Sequence, residues 1–600
     1  MNRDSSYPDV AEQNRLVKNL MTIAKITVAN LSDDPYFFML QAARKFDSPV
    51  ISRLAKASLA ILPKNTTIAR ALAHVLTGNT GALSAYARIV SFQDLSDRQI
   101  ARLADMLVAV QDAETTELVL SNRDSNTKSL ARATARYRWY LGDMDGAIGL
   151  LERSVPAKNK QLRHYRSELE VFEGALPVLQ STPQHHTGMT GENTALHLLT
   201  NSLPHTGSGY AQRSHSILTA LQDAEWRARV FTRAGYPLSI GKVAARSVDF
   251  VDGVGYQRIF PKKLKSDMRA RIQQQAEALA ESVRECRPSI LHTTTDFTNA
   301  LSVMAVAEAF GLPWVYEVRG QLADTWASSR PESARSSQRY KLFKEREAFV
   351  ATRATHVVTL GEAMKQELIE QGVAAARITI APNAIGDEYL ELPIERAEAR
   401  KALGLAAENQ YVGTVSSLVA YEGLDLLVRA VAQLIPANPS LRLLIVGNGV
   451  ERNNLIDLSE KLGIGEYCLF PGRVPRDEAR IYHCALDVFV VPRRDLSVTR
   501  AVTPLKPVEA LACEVPVVAA DLPALRELVL EGETGLLVEP DSPNRLAQGI
   551  DELLRDSSKR ASMGAAGRRH MLAERTWARN TEKLLGIYKN SSEQMRRMDE

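Results

Sequence analysis

The chain has few of the features that mark several large protein classes. Its four cysteines are Cys286, Cys468, Cys484 and Cys513, with no Cys-x-x-Cys pair and no cysteine–histidine cluster. Such spacing supplies neither a disulfide framework nor a zinc site, so we expect buried thiols in a reducing cytosol. No uncharged apolar run approaches the length of a membrane span. The sequence therefore predicts a cytoplasmic protein.

An excess of charge of one sign is also lacking. The 600 residues include 74 Lys and Arg against 70 Asp and Glu, a net charge of +4. This balance argues against a nucleic-acid partner but allows local basic patches. The opening MNRDSSYPDVAEQ has no apolar core after a basic start, so no signal peptide is expected. The length favours several domains rather than one.

Glycine is scarce in the first third, where alanine, leucine and arginine dominate. Apolar residues recur there at three- and four-residue spacing, which predicts amphipathic helices. The run from Ala131 to Leu151 resembles a tetratricopeptide-type hairpin, with a turn at Leu141-Gly142 and Ala147 at the helix crossing. A short α-solenoid and an irregular helical bundle are the alternatives. We predict a tetratricopeptide-like helical domain over residues 1–176, followed by a linker rich in Pro, Ser, Thr, His and Gly over 177–193.

Buried strands and helices alternate after the linker. This alternation predicts an α/β architecture of two tandem, doubly wound Rossmann-like domains, at 194–384 and 385–575. Ligands of such folds bind beyond the carboxyl ends of the strands. The predicted strands lie at 195–199, 229–232, 289–292, 314–318, 356–360, 378–383, 411–415, 442–447, 468–472, 488–492 and 515–520.

Two segments contain candidate ligand-binding residues, judged only from their residue types and their positions next to predicted strands and helices. The turn with Gly207 and Gly209 follows the first strand, and glycine lets a backbone approach a phosphate or sugar closely. The alternative is a tight turn with no ligand. Lys506 and Glu509 lie near a predicted helix N-terminus, which favours an anion. A cation and a carboxylate there suit a phosphorylated sugar, and the alternative is a loop with solvated charges.

The segment from Thr503 to Glu527 resembles the donor-binding block of retaining glycosyltransferases of family four, which have the GT-B fold. The second half of the block matches, through Glu509, Pro516 and Glu527 among others. The family's first glutamate is replaced by Ala501. The resemblance implies that the final helix, at 576–600, crosses back to the first half of the chain.

Two cations of the family pattern are missing. Relatives carry an arginine and a lysine after the first strand of the second sheet, where this chain has Ser417 and Glu422. Negative charge grows on the leaving diphosphate, so replacement cations are expected nearby. We predict that the charge has moved to the neighbouring loop, the alternative being an exposed basic loop. The predicted donor or catalytic residues of that region are Ser417, Arg493, Arg494, Pro504, Leu505 and Lys506.

The resemblance implies further donor contacts. Gly447 and Gly449 resemble a Gly-x-Gly beside the donor, and Arg473-Val474 resembles the backbone segment that pairs with the base. Glu509 is the candidate for the ribose hydroxyls, since a carboxylate accepts two hydrogen bonds.

The first sheet supplies two more catalytic candidates. Arg319 stands where many relatives carry a histidine, and it either lies near the diphosphate or acceptor, or pairs with Glu317 or Asp324. His292 ends an earlier strand and is either a cleft residue or a core histidine. The predicted catalytic residues are thus Arg319, Lys506, Arg493 and His292.

The resemblance implies a retaining transfer without metal or other cofactor, because no Asp-x-Asp follows a strand. We predict a nucleotide-sugar donor, expected to be a UDP-sugar, and a hydroxyl acceptor on a polysaccharide or lipid-linked glycoconjugate precursor. The helical domain would bind a protein partner, self-associate or touch the inner membrane face. The alternatives are an inactive scaffold and another GT-B sugar-nucleotide enzyme, such as an inositol-phosphate glycosyltransferase or an epimerase.

Overall fold

The computed structural model describes residues 15–24, 49–63, 66–77, 80–123, 127–179 and 193–599. Most of the predicted linker, including His185 and His186, lies outside these residues. Among the described residues, no helix is both long and apolar enough to cross a membrane. The chain divides into two compact units: Met1–His215, Glu225–Tyr316 and Leu322–Ala354 form the first, and Ser216–Ala224, Glu317–Gln321 and Thr355–Glu600 form the second.

The described part of the first 176 residues is helical, as the periodicity predicts. Its core is formed by small and branched side chains on the inner faces of the helices, among them Ala71, Leu103 and Leu107, all fully buried. Residues 15–24 are also helical. The later helices are α1 Pro49–Ile61, α2 Thr67–Leu76, α3 Thr80–Ile89, α4 Asp97–Ala109, α5 Ala113–Ser121, α6 Lys128–Leu141, α7 Met144–Ser154 and α8 Lys160–Glu173.

The α/β elements begin at Thr194. From Thr194 to Arg353 the elements are β1 Thr194–Leu199, α9 Gly209–Asp223, β2 Arg227–Thr232, β3 Val248–Val251, β4 Val254–Arg258, α10 Met268–Cys286, β5 Ile290–Thr294, α11 Phe297–Phe310, β6 Trp314–Glu317, α12 Leu322–Ala327 and α13 Gln338–Arg353. The end of α9, from Ser216, is assigned to the second unit. The strands are ordered β3-β4-β2-β1-β5-β6, with β3 antiparallel to β4 and parallel pairing of β1 to β2 and β5.

Aromatic rings and arginines join the helical region to the α/β part of the first unit. Phe172, in α8, meets Phe297 and Phe343 edge-on, with ring centroids 5.4 and 5.3 Å apart. Arg330 lies over the ring of Tyr140, 4.7 Å from its centroid, and donates to the Tyr140 carbonyl at 2.9 Å. These ring contacts pack the helical region against the first α/β helices.

The turn between α6 and α7 packs closely on this α/β part. Gly142 has a φ of +91°, and a β-carbon there would lie 2.2 Å from Ser337 Oγ and 2.9 Å from a ring carbon of Trp326. Gly311 is also left-handed, with a φ of +63°, but a β-carbon there would meet nothing within 4 Å.

These two glycines provide a matched pair of substitutions. Gly311→Ala should cost only the left-handed backbone strain of about 1 kcal/mol. Gly142→Ala should cost about 1–3 kcal/mol more, because Ser337 and Trp326 must move. Thermal unfolding of both variants measures the difference, and equal losses would contradict a closely packed turn.

The second unit contains a six-stranded parallel sheet and the parallel pair β7–β8. Its elements are β7 His356–Thr359, α14 Glu362–Glu370, β8 Ile378–Ile380, α15 Arg396–Ala402, β9 Gln410–Val415, α16 Leu424–Leu434, β10 Leu441–Val446, α17 Arg452–Lys461, β11 Cys468–Gly472, α18 Arg476–Ala485, β12 Val488–Val491, α19 Ser497–Ala501, α20 Lys506–Ala512, β13 Val517–Ala520, α21 Pro523–Arg526, β14 Gly535–Val538, α22 Pro543–Arg555, α23 Ser557–Glu574 and α24 Trp577–Asp599.

Helices cover both faces of the six-stranded sheet. Successive residues of β12 alternate between two apolar clusters, with Val488 and Val490 in one and Phe489 and Val491 in the other. A strand buried on both faces reads as a continuous apolar run, which is the pattern on which the strand predictions rested.

The last helix, α24, is tied to the segment after β8. Asn580 Nδ2 donates to the Pro382 carbonyl at 2.7 Å, and Lys583 Nζ donates to the Ile380 carbonyl at 3.0 Å. These bonds hold residues 380–382 within the second unit, although the predicted domain boundary lies at 384/385. The predicted boundaries stay a prediction.

Candidate functional site

The strand order of the second sheet brings three predicted loops to one edge. The order is β11-β10-β9-β12-β13-β14. Strands β10 and β11 therefore lie on one side of β9, and β12, β13 and β14 lie on its other side. The loops after β9, β10 and β12 leave the sheet at its carboxyl edge, around this reversal. Open α/β sheets bind ligands in the crevice at such a point.

A buried ion pair joins the loops on the two sides of the reversal. Arg493 donates from Nη2 and Nε to the two carboxylate oxygens of Glu422, at 2.7 and 3.2 Å. Its Nη1 donates to the Val502 carbonyl at 2.8 Å. The two charged side chains are 8% and 12% exposed. The carboxylate that replaces the family's lysine therefore holds an arginine in a fixed, forked geometry.

The neighbouring arginine is also paired. Arg494 Nη2 lies 2.6 Å from Asp425 Oδ2, and Nη1 lies 3.4 Å from Asp541 Oδ1. The backbone N–H of Arg494 donates to the Tyr421 carbonyl at 3.1 Å. Sequence reasoning missed these acidic partners, since Asp425 and Asp541 reach the loop only through the order of the strands.

Helix α20 begins with a lysine–glutamate pair on one face. Lys506 Nζ donates to Glu509 Oε2 at 3.2 Å, and the Glu509 side chain is 4% exposed while that of Lys506 is 39% exposed. His483, which is fully buried in α18, has its Nε2 3.6 Å from the same oxygen. No signal in the sequence placed His483 here.

The electrostatics keep Glu509 ionised at neutral pH. Burial opposes its ionisation, but the Lys506 ammonium and His483 outweigh burial and lower the pKa of Glu509 to about 2. Burial lowers the pKa of His483 despite the nearby carboxylate. We therefore infer a neutral imidazole and an ionised glutamate at neutral pH.

This shift predicts an acid-dependent contribution to stability. The pKa of Glu509 is lower in the folded protein than its ordinary value of 4.5, so its stabilisation is complete above about pH 5 and is lost as pH falls towards 2. The full effect is at most about 3 kcal/mol. In melting experiments from pH 7 to pH 3, the deficit of Glu509→Gln relative to wild type should shrink below about pH 4.5. A deficit independent of pH would contradict this ionisation.

The glycines after β10 are explained by close backbone packing. A β-carbon on Gly447 would lie 1.8 Å from the Ser416 carbonyl oxygen, and one on Gly449 would lie 2.1 Å from the Leu418 carbonyl oxygen. Gly447 also has a φ of +141°. The loop after β10 can therefore lie against the loop after β9 only with glycine at both positions. A donor contact at these glycines stays a prediction.

The other predicted donor residues differ in exposure. Ser417 and Arg473 are exposed, whereas Val474, Pro504 and Leu505 are partly buried. Val474 and Leu505 pack against the apolar core. Ser417 and Arg473 are thus accessible from solvent, while Val474 and Leu505 anchor their segments to the apolar core.

Arg319 takes one of its two predicted arrangements. Its Nη2 donates to Glu317 Oε2 at 2.5 Å, and both side chains are buried. Asp324 is bonded elsewhere, to Lys344 Nζ at 3.0 Å and to the Tyr340 hydroxyl at 2.8 Å. The pair with Glu317 is therefore the one that forms.

The first unit holds the remaining predicted residues. His292 is buried on β5, and its ring stacks on that of His197 on β1 with centroids 4.6 Å apart. Gly207 lies in the loop after β1, and Gly209 is the first residue of α9. A β-carbon on Gly209 would meet nothing within 4 Å, so this turn is open.

Glu527, which matched the family block, caps a helix of the second unit. Its two carboxylate oxygens each accept a hydrogen bond of 2.9 Å, from the backbone N–H groups of Glu362 and Ala363 at the start of α14. The structure thus gives this glutamate a definite role in holding α14.

Two protein families match the α/β part of the chain. Residues 395–570 match glycosyl transferases group 1, and residues 208–384 match the glycosyl transferase 4-like domain. The chain is therefore similar to two glycosyltransferase domain families, in the order that the resemblance of the sequence predicted.

Curated relatives match a smaller part. The GDP-mannose-dependent alpha-(1-6)-phosphatidylinositol monomannoside mannosyltransferase of Mycolicibacterium smegmatis is 34% identical over 208 residues, which are 34% of this chain and 54% of that protein. The D-inositol 3-phosphate glycosyltransferase of Thermobispora bispora is 31% identical over 214 residues, 34% of this chain and 49% of that protein. The chain thus spans about half the length of the curated relatives that it matches.

Solved structures show the fold. Sucrose-phosphate synthase from Thermosynechococcus elongatus is 22% identical with a TM-score of 0.56, covering 66% of this chain and 98% of that chain. Anabaena Alr3699/HepE in complex with UDP is 18% identical with a TM-score of 0.53, covering 66% and 100%. The predicted fold class is confirmed: two Rossmann-like, GT-B domains preceded by an all-helical region. The tetratricopeptide-like character of that region stays a prediction.

Proposed function

We propose that this protein is a retaining glycosyltransferase that moves a sugar from a nucleotide-sugar donor to a hydroxyl of a glycan or lipid-linked acceptor. One observation carries the proposal. The ion pair Arg493–Glu422 joins the loop after β12 to the loop after β9, and the pair Lys506–Glu509 opens helix α20. Both loops lie at the strand-order reversal of a domain that matches glycosyl transferases group 1.

In this proposal each charged residue has a separate task. Glu509, ionised and fixed by Lys506, accepts hydrogen bonds from the ribose hydroxyls. Arg493 and Lys506 face the diphosphate, whose negative charge increases as the bond to the sugar breaks. The acceptor hydroxyl passes its proton to the leaving phosphate oxygen on the same face of the sugar, so the anomeric configuration is retained. Positioning and electrostatics supply the rate, with no metal and no protein nucleophile.

The donor base and the acceptor are the finer part of the proposal. The sequence resemblance favours a UDP-sugar, and a structural neighbour was solved with UDP. The activity named for a curated relative favours GDP-mannose. Inositol phosphates and phosphatidylinositol mannosides are the acceptor classes that those relatives' names suggest. Contact with the inner membrane face and self-association through the helical region stay predictions.

Product analysis tests this function. The full chain is incubated with GDP-mannose or UDP-glucose and inositol 3-phosphate, with and without EDTA, and the product is examined by NMR. The proposal expects an α-linked glycoside, formed equally well in EDTA. A β-linked product would contradict retention, and loss of product in EDTA would contradict metal independence.

A non-catalytic scaffold is the second candidate. The observation that favours it is that Arg493, Arg494 and Lys506 each lie beside a carboxylate, so the charge available to a diphosphate is partly neutralised. A scaffold would bind none of UDP, GDP and ADP, whereas the transferase must bind one of them.

A further inference from the structure

The loop between β1 and α9 is attached to the hairpin β3–β4 by a buried charged cluster. Arg258, on β4, donates from Nε to Asp249 Oδ2 at 3.1 Å, with Nη2 3.0 Å from the same oxygen. His205, in the loop, has Nε2 3.0 Å from that oxygen as well. The exposed fractions of the Arg258, Asp249 and His205 side chains are 0%, 9% and 10%. One carboxylate oxygen therefore links the hairpin to the loop.

Further bonds hold the same loop to the sheet. Arg258 Nη1 donates to Ser202 Oγ at 2.7 Å, and Nη2 donates to the Leu203 carbonyl at 3.2 Å. The Tyr236 hydroxyl donates to the Ser202 carbonyl and bonds to Thr206 Oγ1, both at 2.8 Å. These bonds fix residues 202–206, directly before the open glycine turn.

This loop lies at the strand-order reversal of the first unit. The order β4-β2-β1-β5-β6 reverses between β1 and β5, and the loop leaves the carboxyl end of β1. Asn299, in α11, donates to Thr200 Oγ1 at 2.8 Å, which joins the two sides of the reversal. Ligands of an open α/β sheet bind at such a point. The open space over Gly209 is consistent with a ligand there.

Burying these charged side chains costs desolvation free energy, which an apolar contact between the hairpin and the loop would not. Removing three charged or polar side chains from water is expensive unless every partner is present. A fully bonded polar network holds one arrangement, because loss of any member leaves the others unpaired. The cluster is therefore suited to fixing the loop in one position, more than to adding stability.

We propose that Asp249, Arg258 and His205 are positioning residues that fix the loop 202–209 for binding of the acceptor. This rests on the proposed function, in which the second unit binds the nucleotide and the reversal edge of the first unit is left for the hydroxyl substrate. The three residues act through the backbone of the loop and do not touch the reacting atoms.

Asp249→Asn tests the proposal in the full chain, with Asp252→Asn as the matched control. Asp252 is on the same hairpin, is 74% exposed and pairs with His215 at 2.9 Å. Asp249→Asn should raise the KM for inositol 3-phosphate or lower kcat at least about tenfold, with GDP or UDP affinity within twofold of wild type. Arg258→Lys should retain more activity than Arg258→Met, and Asp252→Asn should behave as wild type.

Hydrogen–deuterium exchange gives a reading that does not depend on transfer. Asp249→Asn should speed exchange in residues 202–209 and leave residues 506–512 unchanged. If wild type transfers no sugar, the proposed function fails, and the exchange result then tests only whether the cluster fixes the loop. Unchanged protection of the loop, wild-type acceptor kinetics, or a parallel loss of nucleotide binding and melting temperature would each overturn it.

Discussion

Lys506→Ala is expected to lower sugar transfer about 10²- to 10³-fold while the fold survives. Lys506 is the cation at the start of α20 whose ammonium is partly exposed, and it is bonded to a buried glutamate. Its loss removes positive charge where the leaving diphosphate would gain negative charge. It also leaves Glu509 without its lysine partner, so the pKa of Glu509 should rise towards its ordinary range.

Two variants separate this effect from general damage. Lys506→Arg keeps the charge and should retain part of the activity. Lys559→Ala removes a lysine that is paired with Glu552 on the surface of the same unit, and it should transfer as wild type does. Steady-state kinetics and melting curves measure both. Near-wild-type transfer by Lys506→Ala would refute a role for this lysine at the diphosphate.

Exchanging the charges of Arg493 and Glu422 is expected to abolish and then restore transfer. Arg493→Glu alone places two carboxylates together in a buried site, at a cost of about 3–5 kcal/mol, and removes the cation. Adding Glu422→Lys restores the ion pair and puts a lysine where relatives carry theirs. We expect the transfer rate of the double variant to return to within about tenfold of wild type. The remaining deficit reflects the lost hydrogen bond from Arg493 to the Val502 carbonyl.

The pair Asp495–Arg500 is the control for this exchange. Its charged groups, from Asp495 after β12 and Arg500 in α19, lie 2.5 Å apart but are more exposed. Exchanging their charges should change transfer and stability little. Kinetic assays of all four combinations at positions 422 and 493 give the coupling between them. A double variant that melts as wild type does but remains as inactive as Arg493→Glu would contradict the relocated charge.

Most strands could be predicted because they are buried on both faces and therefore read as apolar runs. The predicted 411–415 and 488–492 correspond to β9 Gln410–Val415 and β12 Val488–Val491. The hairpin β3–β4 was missed, although Asp252-Gly253 between two alternating segments is a strong turn signal. Strand β14 was missed as well; it lies at the edge of its sheet and its last two residues are only partly buried.

The candidate site was predictable only where its residues are close in sequence. Lys506 and Glu509 are three residues apart on one helix, so their pairing follows from helical geometry. Arg493 and Glu422 are 71 residues apart, and the strand order alone brings them together. His483 and Asp425 enter the site in the same way.

The cysteine prediction also shows the limit of composition. All four thiols are free, but only Cys484 and Cys513 are buried, while Cys286 and Cys468 are partly exposed. The latter two lie at the end of α10 and the start of β11, where an element meets solvent. The spacing of the cysteines predicted that they form no disulfide, but their degree of burial depends on the fold.

In the proposed function, the carboxyl edge of the second sheet binds the diphosphate of a nucleotide sugar. Calorimetric titration of the wild-type chain with UDP, GDP and ADP in EDTA tests it most directly. We predict saturable binding of one of the three, selective over the others, that weakens at least about tenfold in Lys506→Ala. Absence of binding by all three, or equal binding by wild type and Lys506→Ala, would contradict the claim.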